Sequence, residues 1–244
     1  KEIPMKAIQR MSITDSVVAD IKEMIMSGEY KIGEKLPTEM KLCDQMSVSR
    51  TCVREAIRVL QAIGYVEIRP GKGAFVANYQ KSTDNSSLWY DVEGVKFYDF
   101  MEVRMAIETL SVRLAVERAT DKQIRELREI HTSFVEATEK RDMLKMIMLD
   151  ELFHTKIITF TNNQLLININ KQLLERFRIY RGDSFTNKMV YKNAVEPHER
   201  ILLCFEMRNP SSAVEEMRKH LNITTQDMEL IHNNSKTAKS SNQK

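Results

Sequence analysis

Between Phe97 and Asn233 no run alternates apolar and polar residues over strand length; apolar side chains instead recur at three- and four-residue intervals. A segment of that length without strands buries its hydrophobic side chains by packing helix on helix. Phe100, Val103, Ile107, Leu110 and Leu114 form the predicted inner stripe of a first helix. Thr120 and Gln123 have the spacing of a capping box that opens a second, with Ile124, Leu127, Ile130 and Phe134 facing inward. Further helices are expected at 142–161, 163–182, 187–208 and 210–232, the last with Asn209 as N-cap and Pro210 at its first position. Met143, Met146 and Met148 read as adaptable core rather than as a copper site.

The preceding segment, about 12–78, has a different grain. Val17, Ile21, Met24 and Ile25 make a helical stripe that stops at Gly28. A second helix is expected just after Pro37. A third opens at Ser49 and carries Val53, Ala56, Ile57 and Leu60 on one face until Gly64 ends it. Two short extended runs, Tyr65–Arg69 and Ala74–Ala77, flank Pro70-Gly71-Lys72-Gly73, which is a turn signal. Residues 79–96 read as a polar linker, and 233–244 as a disordered tail. The expected fold class is mainly α: a winged helix-turn-helix at 12–78 with a small β-hairpin, then an all-α bundle at 97–232.

Composition narrows the function. With 37 basic and 34 acidic residues among 244 the net charge is +3, which excludes a histone-like tail and a strongly acidic chain but leaves room for a local basic patch on nucleic acid. Cys43, Cys52 and Cys204 are far apart with no C-x-x-C spacing, so neither a disulfide framework nor a thiolate zinc site is expected, and a reducing cytoplasm fits. The first ten residues lack a signal-peptide core, and no stretch approaches a membrane span, so no membrane partner is expected.

On the third helix, Arg50, Thr51, Arg54 and Arg58 lie opposite the apolar face. Arginines at the start of such a helix reach guanine edges or phosphates, and the hydroxyls of Ser49 and Thr51 suit phosphate oxygens. Gly71 and Lys72 at the hairpin tip are placed to lie against a minor groove. The alternative is an ordinary surface helix with scattered arginines. Gly33-x-Lys35-Leu36-Pro37-Thr38-Glu39, Val48-Ser49-Arg50-Thr51-x-Val53-Arg54-Glu55-Ala56, Gly64-Tyr65 and Gly71-x-Gly73-x-Phe75-Val76 resemble the N-terminal domain of the GntR family of bacterial transcription regulators. That resemblance implies operator contacts from Ser49, Arg50, Thr51, Arg54 and Gly71. Met40 departs from the family, standing where many relatives have a phosphate-binding Arg or Lys, and Cys52 stands where Thr is common.

In the helical segment Asp150 and His154 are spaced i, i+4 and project from one helix face, while His198 and His220 lie on later helices. Three imidazoles and a carboxylate suit a divalent transition ion, Zn²⁺ or Ni²⁺ first, with coordination positions left open. Taken singly, each histidine is more often a hydrogen-bonded core residue. His131 and His232 have no evident partner and read as solvated or structural. Arg104-x-x-x-Glu108, Asp150-x-x-x-His154, His198 and His220 in this order are similar to the FCD ligand-binding domain of the FadR subfamily. The resemblance implies a metal held by Asp150, His154, His198 and His220, and a small carboxylate bound by that metal and Arg104. The complete ligand set argues against a fatty-acyl thioester effector. Without the resemblance, Arg104 and Glu108 would be a surface pair. Pro197 departs from the pattern and is expected to mark a helix start beside His198.

The combined expectation is a metabolite-responsive transcription regulator, most simply a repressor, that binds double-stranded palindromic operator DNA as a homodimer. The competing reading is a metal-dependent hydrolase or isomerase fused to a winged helix, weakened because no separate general base stands out. A winged helix used only for protein contacts is disfavoured by Arg50, Arg54 and the wing glycines together.

Overall fold

Helix starts in this chain are set by small polar side chains. In the computed structural model, which describes residues 12–78, 97–185 and 188–241, Ser12 and Asp15 cap each other's backbone N–H at the start of α1 (Ile13–Met26). The expected linker, 79–96, lies outside the described residues. The chain divides into two units, residues 1–79 and 80–244.

In the first unit, Thr38 caps α2 (Glu39–Met46) and Ser49 caps α3 (Arg50–Ala62); Pro37 sits just before the Thr38 cap. Ser47 takes a left-handed conformation, φ 54°, which ends α2 after two turns and leaves a three-residue connection, 47–49, to α3. α1 and α2 pack against α3, whose Val53, Ala56, Ile57, Val59 and Leu60 are buried. Burying each large aliphatic side chain contributes about 1.5–3 kcal/mol. β1 (Val66–Arg69) and β2 (Gly73–Val76) then form an antiparallel hairpin in which Val66 faces Val76 and Arg69 faces Gly73. One element escapes the sequence reading. Residues 33–36 lie along β2, with Leu36 N–H donating to Ala74 O at 2.9 Å and Val76 N–H to Glu34 O at 2.8 Å. Gly33-Glu34-Lys35-Leu36 shows no alternation, so periodicity gave no sign of this pairing.

The second unit contains α4 (Phe97–Arg118), α5 (Asp121–Lys140), α6 (Met143–Phe160), α7 (Gln164–Phe185), α8 (Lys188–Glu206) and α9 (Pro210–Ser241). Thr120 and Gln123 form the capping box at α5, and the Asn209 side chain caps α9 by accepting from Ser212 N–H at 3.0 Å. α4 packs on α9 and α6, α5 on α6 and α8, and α8 on α9. The shared core includes Val112, Leu127, Phe153, Phe205, Met217 and Leu221. Left-handed residues Arg141, Asn162 and Arg208 close the turns after α5, α6 and α8. Arg208 also ties its turn to the α4–α5 turn, donating to Ala119 O and, at 2.6 Å, to Asp121.

Three expectations are corrected. The inner face of α4 is rotated from the predicted stripe. Val103 and Leu110 are 46% and 40% exposed, and the buried positions are instead Met101, Arg104, Glu108, Ser111, Val112 and Ala115, beside Phe100 and Leu114. Arg104 and Glu108 occupy that face because they have partners there, as described below. Pro197 lies inside α8 rather than at a helix start. Finally, α9 runs to Ser241, past residue 232 and into the expected tail, because no Gly or Pro follows Pro210 to break it; residues 242–244 lie outside the described residues.

Candidate metal centre and nucleic-acid face

Asp150 and His154 are one turn apart on the buried face of α6, His198 follows Pro197 on α8, and His220 lies on the inner face of α9. All four are at most 5% exposed, and one ligand atom from each lies within 4.8 Å of the others. The imidazoles converge through Nε2. His154 Nε2 is 3.8 Å and His198 Nε2 is 3.6 Å from Asp150 Oδ1, and His220 Nε2 is 3.2 Å from His154 Nε2. Donors about 2.1 Å from a common ion are separated by roughly 3.0–3.4 Å in octahedral or tetrahedral shells, so small adjustments close this set around a cation.

Two further observations fit an ion. Fully buried His198 has no hydrogen-bond partner on either ring nitrogen among the described residues, a costly condition that coordination relieves. Burial pushes the His198 imidazole down to about 3, against a smaller opposing pull from Asp150. Burial and the neighbouring His198 and His154 hold His220 well below its ordinary value. Both rings are therefore neutral at neutral pH, the form that ligates metal.

Arg104 and Glu108 are also buried, at 6% and 5% exposure, not the exposed pair that their spacing alone permits. Arg104 Nε donates to Glu108 Oε1 at 2.6 Å, and Glu108 Oε2 lies 2.5 Å from His154 Nδ1. Burial alone would raise the Glu108 pKa, but Arg104 and His154 outweigh it and hold the carboxyl well below the usual range. Sequence reading gave Glu108 no role at the site; the i,i+4 spacing to Arg104 was visible, but the contact to His154 spans 46 residues. His131 is likewise buried, with Nε2 3.0 Å from Glu199 and its ring 6.3 Å from that of His198, so it is structural rather than solvated. The side chain of His232 lies outside the described residues.

On the first unit, Arg50, Thr51 and Arg54 are exposed along the first turns of α3. Ser49 Oγ accepts from Cys52 N–H as the helix cap and turns its own proton to Cys52 Sγ at 3.2 Å. Arg50 Nη2 rests 3.1 Å from Met40 Sδ, and Arg54 Nη2 lies 3.6 Å from Glu39 Oε2. Thus α2 holds both arginines of α3. At the wing tip, exposed Gly71 has φ 70° and Lys72 N–H closes the turn onto Arg69 O.

Residues 13–76 match the family model described as bacterial regulatory proteins, gntR family, and residues 99–223 match the FCD domain. The Glc operon transcriptional activator of Escherichia coli (strain K12) is 29% identical over 164 residues, covering 65% of this chain and 65% of that protein. The chain therefore spans just under two thirds of that relative. The Exu regulon transcriptional regulator of Escherichia coli (strain K12) is 28% identical over 232 residues, covering 90% of this chain and 86% of that protein. E. coli McbR/YncC shares the fold with a TM-score of 0.53 at 22% identity, over 93% of this chain and 100% of that one. These relatives carry the names of regulators, and the hydrolase or isomerase reading gains no support from them. Among the described residues no helix is long and apolar enough to cross a membrane.

Proposed function

The chain belongs to the gntR family of bacterial regulatory proteins and carries an FCD domain; from that premise we propose that it regulates transcription in the cytoplasm, binding palindromic operator DNA as a homodimer under the control of a small carboxylate metabolite. The metabolite binds a divalent transition metal, Zn²⁺ or Ni²⁺, held by Asp150, His154, His198 and His220. Arg104 supplies positive charge beside it. The buried cluster of these four residues carries the reading, because His198 is fully buried at its centre with neither ring nitrogen hydrogen-bonded among the described residues, a cost that coordination relieves.

At the operator, Arg50 and Arg54 read bases or clamp phosphates, Ser49 and Thr51 contact phosphates, and Gly71 with Lys72 lets the wing approach the minor groove. Metal and carboxylate together bias the bundle between two arrangements and so alter the affinity of paired DNA-binding units, which is coupling between distinct sites. The domain bounds 12–78 and 97–232 are part of this proposal.

A thermal-shift screen of small carboxylates, run with Zn²⁺, with Ni²⁺ and with a chelator, tests it. The expected result is stabilisation by the metal and further stabilisation by an acid only when metal is present. Elemental analysis showing no bound metal, together with no uptake on addition, overturns the metal reading. A monomer by light scattering with full affinity for a selected operator overturns the dimer.

A further inference from the structure

Of the three histidines in the candidate ligand set, His154 alone among the described residues has a carboxylate on its Nδ1 side. Among the described residues His198 Nδ1 and His220 Nδ1 are buried without a hydrogen-bond partner, whereas His154 Nδ1 lies 2.5 Å from Glu108 Oε2. Glu108 sits on α4, an element that contributes none of the four candidate ligands, and its other oxygen accepts from Arg104 Nε at 2.6 Å. We infer that Glu108 is a positioning residue for the metal centre: through Oε2 it fixes the ring and tautomer of His154, and Arg104 braces it through Oε1. The inference rests on the metal reading proposed above.

The chemistry follows from hydrogen-bond inventory. A carboxylate only accepts, so both protons in this chain of contacts come from its neighbours, one from Arg104 Nε–H and one from His154 Nδ1–H. A neutral imidazole with its proton on Nδ1 presents the bare lone pair of Nε2 on the opposite edge. That edge faces Asp150 Oδ1 and His220 Nε2. Glu108 thus determines which nitrogen of His154 is available for a cation, and it aims that nitrogen at the other donors. Arg104, at i−4 on the same helix, supplies the counter-charge that lets a carboxylate stay buried there. A glutamine in this position keeps the shape but has only one accepting atom. Either Arg104 or His154 must then meet an NH₂ group. If it is His154, the ring is driven to the Nε2–H tautomer, which blocks the ligand position.

Two measurements test this on the full chain. The first is zinc affinity by chelator competition for wild type, Glu108→Gln and Glu108→Asp, with helical content checked in the metal-free proteins. Glu108→Gln is expected to weaken zinc binding roughly 10- to 100-fold, with partial recovery in Glu108→Asp. The second is ¹⁵N NMR of the His154 ring in metal-free wild type, which needs no variant to fold. The expected signature is a protonated Nδ1 and bare Nε2, shifting toward the opposite tautomer in Glu108→Gln. Zinc uptake by wild type with equal affinity in Glu108→Gln overturns the role of Glu108 while leaving the metal reading intact, as does an Nε2–H tautomer in wild type. A wild type that takes up no zinc overturns the metal reading itself.

Discussion

Acid should weaken the metal-free protein through His198 before it reaches the carboxylates. This ring is fully buried and stacked on Phe153 at 4.3 Å between centroids, and burial pushes its pKa from 6.5 down to about 3. The folded state therefore binds fewer protons than the unfolded state between those two values, so stability rises with pH across that window. It is fully present above 6.5 and is lost as pH falls toward 3. At about pH 5 the unfolded ring is almost wholly protonated and the folded ring is not, which amounts to about 2 kcal/mol lost relative to neutral pH. His220 is shifted in the same direction and adds to the loss. Glu108, whose folded pKa is also depressed, contributes stability that is present above its unfolded value of 4.5 and lost below it, so it adds little at pH 5. Urea denaturation followed by circular dichroism with chelator present, at neutral pH and about pH 5, should show this loss in wild type and about 2 kcal/mol less of it in His198→Gln. Only the pH-dependent difference is compared, so packing lost equally at both pH values in the variant cancels. Parallel profiles for the two proteins would refute the assignment of a buried, neutral His198.

Arg50→Ala and Arg54→Ala should each weaken binding to a selected operator by about 1–3 kcal/mol with the fold unchanged; gel shifts indistinguishable from wild type for both would show that α3 is not the reading helix. Thr120→Ala removes the acceptor for Gln123 N–H and half of the α5 capping box, so it should destabilise the second unit by about 1 kcal/mol in a denaturant titration. Gly73→Ala places a Cβ at φ 111° and 3.1 Å from Lys35 Cε; it should strain the wing by roughly 1–2 kcal/mol and weaken DNA binding, which fluorescence anisotropy on the same operator would detect.

Elements governed by local chemistry were readable from the sequence. Ser49 before Arg50, Thr120 with Gln123, and Asn209 before Pro210 each announce a helix start within four residues, and each is made as read. The Gly64 and Gly71 turns were legible for the same reason. The candidate group Asp150, His154, His198 and His220 was assembled from its residue types together with the family resemblance, and the four side chains come together from three helices. What failed was the face of α4. Periodicity weighs apolar residues, and there the buried face carries Arg104, Glu108 and Ser111 while Val103 and Leu110 point outward. The reason for burying those charges is a histidine on another helix, which no local window contains. The reading of His131 as solvated or structural stayed open for the same reason, since its partner Glu199 lies on α8. Pro197 misled in the opposite way: a lost N–H is often a helix start, but α8 continues through it.

The wide sequence spacing of the four candidate ligands has a consequence for the order in which the molecule comes into being. His154 meets Glu108 across 46 residues and His220 across 66. Such contacts form late, because the chain between them must first be closed into a loop. As the chain leaves the ribosome, the α6 pair emerges first, then His198, and the centre is complete only when α9 is free to dock. A bound ion would thus certify a finished bundle, and an interrupted chain ending before His220 would keep three of the four candidate ligands yet lack the helix that brings the last one in.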